Sequence, residues 1–338
     1  MMKAYSVFFA NYTIGEDAYG QVPQVCLPFG KRIFLIGGRR AMDAAEGLLG
    51  KALEGSGLVV LESVEFGADC TYRTIDRWAQ RAKELGADMI FGMGGGKALD
   101  TAKGAAERAG LPVFTCPTIA ATCAATTALS VVYREDGNFD SFYFYDKPAR
   151  HCFINTRIIA DAPCEYLRAG MGDTMGKFFE CHFAARGDHL DHSSALGREI
   201  SNLCYGPLLE HGVQALVDCR RHEPSFALQQ AVLANIVSTG MVSLMVLDDY
   251  NCAIAHSVYY GLVLLPGFEE KYLHGDVVAY GVLVQLAVDK DWDRMREVKG
   301  FLKELGIPST LREMEVPLDR EYLRDVLRET VTGPDMEH

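Results

Sequence analysis

Between residues 32 and 117 the chain alternates short apolar runs with longer amphipathic ones, and this alternation fixes the fold class before any single residue is considered. Arg32–Ile36, Leu58–Val64, Met89–Phe91 and Val113–Cys116 are brief and largely branched or aromatic, as strands are. Ala41–Leu53, Thr71–Leu85 and the stretch from Lys97 carry helical spacing, with Trp78 and Ala82 on one face and Ala98, Leu99, Ala102, Ala105 and Ala106 on another. Repeated strand–helix–strand units imply a parallel sheet with helices on both faces. Ligands then gather beyond the C-terminal ends of the strands.

Phe142–Tyr145 and His151–Asn155 read as further strands. Beyond Asp161-Ala162-Pro163 the texture becomes helical, with amphipathic runs over roughly 164–186, 193–221, 224–247, 252–264, 276–289 and 291–305. Pro207, Pro224, Pro266-Gly267 and Pro308 interrupt them. The expected organisation is an α/β Rossmann-like domain over residues 1–161 and an all-α domain over 162–338, with a cleft between them as the ligand site. A chain of 338 residues is long enough for two cores.

A formal net charge of −12 without a basic stripe argues against a nucleic-acid partner. Ten cysteines from Cys26 to Cys252 include no C-x-x-C pair, so neither a zinc finger nor a disulfide framework is expected, and reduced thiols point to the cytoplasm. Asn11 cuts short the apolar Val7–Ala10, and no 18-residue apolar stretch is read in the sequence, so neither a leader nor a membrane span is expected.

The most suggestive turn follows Met89–Phe91. Gly92 and Gly94–Gly96 leave almost no side chains between a strand and a helix. Such a turn lets backbone N–H groups approach a pyrophosphate, at a helix end that offers unpaired donors and a positive dipole. It is not G-x-G-x-x-G, because Lys97 stands where the third glycine belongs. Nor is it a Walker sequence, since Phe91 and Ala98 occupy the required Gly and Ser/Thr positions. A plain tight connection remains the alternative.

Three residues of the second half form a candidate metal set. Asp173 sits in a small-residue run, where its ordinary role is to cap a helix. His256 and His274 sit in apolar helical settings, where a structural role is the default. Together they supply two imidazoles and a carboxylate, a set that catalytic zinc uses while keeping a position for water or substrate. A rival cluster, Asp188, His189, Asp191 and His192, has i, i+3 histidines but reads as a solvated helix junction.

Four segments in register resemble the glycerol dehydrogenase branch of the iron-containing (group III) alcohol dehydrogenases, from about residue 30 to 300. They are Gly94–Lys103, Pro117–Ala120 through Ala128–Tyr133, Gly172-Asp173, and Ala255-His256 with His274-Gly275. The resemblance implies a dehydroquinate synthase-like architecture. It also implies a metal-dependent, NAD- or NADP-linked enzyme that interconverts a small alcohol or polyol and its aldehyde or ketone. By that resemblance Gly94, Gly95, Gly96 and Lys97 cradle the pyrophosphate, and Thr118, Thr122, Thr127, Leu129 and Tyr133 line the nicotinamide side. Asp173, His256 and His274 hold one divalent ion, with zinc ahead of iron because many iron-using relatives supply an additional histidine, whereas Tyr259 and Tyr260 stand just after His256 and no third imidazole is near. The ion would act as a Lewis acid on the substrate hydroxyl. A homo-oligomer is implied by the family.

Two departures bear on specificity. Cys123 stands where the branch carries an aspartate that helps hold the polyol, which favours a less hydroxylated substrate. The turn Ile36-Gly37-Gly38-Arg39-Arg40 lacks the acidic residue of NAD-preferring members, and Arg39 could pair with a 2′-phosphate, so NADP(H) is expected to be accepted. Two other readings share the architecture: a sugar-phosphate cyclase of the dehydroquinate synthase type, which needs a basic phosphate clamp not evident after Pro117, and a non-catalytic dinucleotide-binding protein.

Overall fold

The structure, a computed structural model, describes residues 6–336, which form two compact units. The first runs to Ala162 and takes back Arg221–Pro224; the second holds Pro163–Arg220 and the residues from Ser225 onward.

The first unit contains β1 (Asn11–Gly15), α1 (Val22–Cys26), β2 (Arg32–Gly37), α2 (Arg39–Leu53), β3 (Val59–Glu65), α3 (Tyr72–Leu85) and β4 (Met89–Gly94). It continues through α4 (Gly96–Ala109), β5 (Val113–Pro117), β6 (Leu129–Tyr133), β7 (Phe139–Phe144), β8 (His151–Asn155) and α5 (Thr156–Asp161). Six strands form one parallel sheet in the order β1-β8-β5-β4-β2-β3. β6 and β7 pair antiparallel as a separate hairpin.

Strand alternation divides the core into two layers. Ile33, Leu35, Met89, Phe91, Met93, Phe114 and Phe153 face α1 and α2, where they meet Val22, Cys26, Ala45 and Leu49. Phe34, Ile36, Val64 and Ile90 face α3 and α4, where they meet Ala79, Ala82, Ala102, Ala105 and Ala106. The expected parallel sheet with helices on both faces is therefore present. Gly92 matters to the second layer, since a Cβ there would stand 2.8 Å from the Cβ of Ala102 and push α4 off the sheet. Thr71 lies one residue outside α3, where it exchanges hydrogen bonds with Thr74 in a capping box. β1 and β6 were not anticipated. β1 is a partly polar edge strand and β6 a short alternating one, so neither offers the apolar run that marks the inner strands.

The second unit is helical: α6 (Cys164–Ala184), α7 (His192–Ile200), α8 (Gly206–Arg220), α9 (Phe226–Leu233), α10 (Thr239–Met245), α11 (Ile254–Leu262), α12 (Phe268–Lys271), α13 (His274–Val288), α14 (Trp292–Leu305) and α15 (Arg324–Thr332). A π turn at Ala234–Ser238 joins α9 to α10. The resulting run Phe226–Met245 is long and apolar enough to cross a bilayer, which the sequence reading had not picked out. Most of it is buried inside the protein, the placement of a core helix.

Glycines bring three helices of this unit into main-chain contact. A Cβ on Gly275 (α13) would stand 1.8 Å from the Ala169 carbonyl oxygen of α6, and one on Gly172 (α6) 2.3 Å from the Gly275 oxygen. A Cβ on Gly281 would stand 2.3 Å from the Ala255 oxygen of α11. Arg168 then clamps α6 to α13 through a two-pronged bond to buried Asp276, at 3.0 and 2.6 Å.

Candidate active site

Asp173, His256 and His274 come from α6, α11 and α13, the three helices that the glycines draw together. Their donor atoms lie within 4.8 Å of one another. Asp173 Oδ1 is 3.5 Å from His256 Nε2 and 3.3 Å from His274 Nε2, and the two rings are 5.3 Å apart between centroids. Among the described residues no other group of three or more such donors converges in this way. Asp173 lies in the middle of α6, so the helix-capping alternative is set aside.

The sequence reading missed Glu180. This carboxylate is fully buried on α6, seven residues and about two helical turns beyond Asp173. Its Oε1 accepts from the backbone N–H groups of Ala253 and His256, each at 2.8 Å. Its Oε2 lies 2.5 Å from His256 Nδ1. A proton shared on that side leaves Nε2 as the lone-pair nitrogen facing Asp173 and His274. The i, i+7 spacing of Asp173 and Glu180 was the available signal.

Charge complementarity holds the cluster together. Burial pushes the Asp173 carboxyl up, but the two imidazoles outweigh it and hold the group well below the usual carboxylate range. For Glu180 burial likewise opposes ionisation, and His256 with the two amides wins. Burial favours a neutral His256, yet Cys252, Glu180 and Asp173 raise its pKa well above the ordinary value. An anionic pocket that stabilises positive charge on a buried imidazole suits a cation equally, so these donors fit a divalent metal.

In the first unit the glycine turn joins β4 to α4. Gly94 has φ +147°, and Gly95 is packed so closely that a Cβ would reach 2.7 Å from Ile119 Cδ1. No side chain caps the start of α4, so its first N–H groups lack a capping partner. A bare, uncapped helix start at the C-terminal edge of a parallel sheet fits a pyrophosphate.

The other expected coenzyme residues gather around α4. Thr118 donates its N–H to the Gly94 carbonyl at 3.1 Å. The Thr122 hydroxyl lies beside Gly96, 3.4 Å from where a Cβ would be. Lys97 pairs with Asp69, and its ammonium lies 4.8 Å from the centre of the Tyr133 ring. Cys123 follows Thr122 in a turn closed by Thr126 N–H to the Cys123 carbonyl at 2.9 Å. The buried Lys103 ties this loop down: its ammonium donates to the carbonyls of Ala124, at 2.7 Å, and Leu129, and to Thr127 Oγ1 at 3.2 Å. It also pairs with buried Asp100 at 2.9 Å. Neither Lys103 nor this partnership stood out in the sequence, because a lysine two turns into a helix normally reads as surface.

The structure supplies partners for Arg39 and for the rival histidine cluster. Arg39 opens α2, two residues before the expected helix start at Ala41, and its guanidinium is paired with Glu65 at the end of β3. The turn Ile36–Arg40 has no carboxylate; the sheet order, which sets β3 beside β2, supplies one. The rival histidine cluster is spent on local structure. Asp191 caps α7 by accepting from Ser194 N–H at 3.0 Å, and Asp188 accepts from the Tyr250 hydroxyl at 2.7 Å.

Comparison with known proteins gives consistent matches. The sequence model of the iron-containing alcohol dehydrogenase family matches residues 10–151. A glycerol dehydrogenase of Escherichia coli O6:H1 is 31% identical over 314 residues, covering 91% of this chain and 84% of the relative. Hydroxycarboxylate dehydrogenase A of Escherichia coli K12 is 36% identical over 293 residues, covering 86% and 79%. The crystal structure of glycerol dehydrogenase from Schizosaccharomyces pombe aligns with a TM-score of 0.88 at 27% identity, over 99% of this chain and 85% of that one.

Proposed function

We propose a substrate and a cofactor set from a fixed premise: this chain belongs to the iron-containing alcohol dehydrogenase family, and it is a metal-dependent alcohol oxidoreductase. The sugar-phosphate cyclase and the non-catalytic readings are not favoured, since relatives covering most of the chain are dehydrogenases.

The proposed cofactors are one divalent ion at Asp173, His256 and His274, with zinc ahead of iron, and a nicotinamide dinucleotide on the Gly94–Lys97 turn. When bound, the ion supplies Lewis acidity toward a hydroxyl or carbonyl oxygen, and the dinucleotide supplies the hydride acceptor or donor. The protein's own part is positioning. Glu180 keeps the proton at His256 Nδ1 and so aims Nε2 at the ion. Lys97 and the uncapped α4 start offer charge and N–H donors to phosphate. Lys103 holds the Thr122–Leu129 loop in one shape, which fixes the residues proposed for the nicotinamide side.

The substrate proposed is a small alcohol, or its carbonyl form, with fewer hydroxyls than glycerol. Cys123 carries this reading, because a thiol is a weak hydrogen-bond partner where a carboxylate would grip a polyol. The convergence of Asp173, His256 and His274 carries the metal assignment. The test is a panel of glycerol, simple diols, hydroxyaldehydes and 2-hydroxycarboxylates, with Zn²⁺ or Fe²⁺ supplied and nicotinamide reduction followed by absorbance. Cys123→Asp should lower KM for glycerol about tenfold relative to a simple diol, the scale of one added charge-assisted hydrogen bond. Equal KM changes for both substrates would refute the role of Cys123. Metal analysis finding no bound divalent ion after zinc reconstitution would refute the assignment of the metal set.

A further inference from the structure

The segment from the end of β3 to the start of α3 supplies two carboxylates, each engaging a cation of the proposed dinucleotide seat. Glu65 pairs with Arg39, and Asp69 pairs with Lys97. The two pairs occupy different places. Lys97 is the second residue of α4, beside the turn expected to carry the pyrophosphate, which every nicotinamide dinucleotide possesses. Arg39 is the first residue of α2 and follows β2 across Gly38, whose N–H donates to the Met93 carbonyl of β4 at 3.1 Å. The Phe66 N–H, next to Glu65, donates to the Gly37 carbonyl at 2.9 Å. Main-chain bonds thus fix the ends of β3, β2 and β4 as one edge, with Glu65 and Arg39 together at its outer side.

We propose that Glu65 is the residue that selects between the two nicotinamide coenzymes, by engaging Arg39 and repelling a 2′-phosphate. The inference rests on the dinucleotide reading of the Gly94–Lys97 turn. A 2′-phosphate brings close to two negative charges, and guanidinium is the group best shaped to receive it. Here that guanidinium is already paired, and the pairing carboxylate would stand against the incoming phosphate. A 2′-hydroxyl meets neither obstacle, because a carboxylate accepts a hydrogen bond from it. Charge at this spot therefore opposes the phosphorylated coenzyme and tolerates the other. Asp69 acts on Lys97 and the shared pyrophosphate, so its influence does not depend on the 2′ position.

The experiment measures dissociation constants for NAD⁺ and NADP⁺ by calorimetry or protein fluorescence, on wild type, Glu65→Gln, Glu65→Ser, Asp69→Asn and the double variant Glu65→Gln/Arg39→Gln. Thermal melts confirm that each is folded. Both Glu65 variants should tighten NADP⁺ about tenfold relative to NAD⁺, the size expected for removing one half-exposed like charge at close range. The double variant should lose that gain. Asp69→Asn should change both coenzymes by the same factor. An unchanged NADP⁺/NAD⁺ ratio in both Glu65 variants overturns the assignment, and a gain that survives undiminished in the double variant overturns the part given to Arg39. Failure of wild type to bind either dinucleotide overturns the underlying reading of the turn instead.

Discussion

Glu180→Gln is a sharp test of how the metal set is oriented. The substitution keeps the side chain's shape, so Oε1 can still accept the 2.8 Å bonds from Ala253 and His256 N–H. What changes is the other end. An amide NH₂ now faces His256 Nδ1 at the 2.5 Å contact, a donor against a donor. The ring resolves the conflict by moving its proton to Nε2, which faces Asp173 and His274 and then has no lone pair for a cation. Losing one ligand's orientation in this way weakens metal binding about 10- to 100-fold, or roughly 1.4–2.7 kcal/mol. Stability without metal should fall less than this suggests, because removing a buried charge also removes its desolvation penalty. Glu180→Ala differs in kind: it leaves two buried amide donors without an acceptor, at about 1–3 kcal/mol each. The assay is competition for Zn²⁺ against a chromogenic chelator, with thermal melts in the presence and absence of EDTA. The reasoning fails if Glu180→Gln binds zinc within threefold of wild type, or if its melting point falls as far as that of Glu180→Ala.

Other outcomes follow from contacts already described. Gly275→Ala should destabilise the protein by about 3 kcal/mol, because its Cβ meets the Ala169 carbonyl at 1.8 Å and forces α6 from α13. Gly300→Ala, with open space around it in α14, should instead stabilise by about 0.5–1 kcal/mol; denaturant titration of both separates crowding from helix propensity. Lys103→Met strands Asp100 in the core and should cost about 3–5 kcal/mol, with dinucleotide affinity falling as the Thr122–Leu129 loop loosens. Adding Asp100→Leu should restore much of the stability while leaving affinity low, as read by melts and fluorescence titration. Asp88 lies well below the usual carboxylate range, chiefly through the Arg32 guanidinium, aided by the Lys31 and Arg32 amides. A pKa depressed in the folded state contributes stability above the unfolded value near 4, and loses it as pH falls through the folded one. Asp88→Asn should therefore cost about 1 kcal/mol at neutral pH and progressively less on acidification below pH 4, seen in urea melts across pH.

What could be read from the sequence and what could not divide on locality. The inner strands and α2–α4 were legible because each carries its own period, as in Ile33/Leu35 against Phe34/Ile36. β1 and β6 were not, since an edge strand and a hairpin strand need no continuous apolar run. Asp173, His256 and His274 were reached through resemblance; their spacing of 83 and 18 residues says nothing about proximity, which the glycine contacts among α6, α11 and α13 create. Glu65 shows the complementary failure. Reading the turn around Arg39 in sequence found no carboxylate, whereas parallel pairing of β2 with β3 puts one there. Partners brought by sheet order or helix packing are invisible to any window along the chain.

The pairing of β1 with β8 also governs how the sheet can be assembled as the chain emerges from synthesis. Asn11 finds its partner in His151, 140 residues later, and β8 is also the strand that joins β1 to β5. At 5–20 residues per second the first strand waits on the order of ten seconds for its neighbour to be made. In the last part of that wait, while residues 118–151 are made, β5 ends a four-stranded sheet whose outer edge is bare, a template for any other extended chain nearby. The finished sheet covers the β5 edge with β8 and leaves the partly polar β1 as the edge instead. The hazard of misassociation is therefore set by the pace of translation between residues 117 and 151 rather than by the stability of the completed fold.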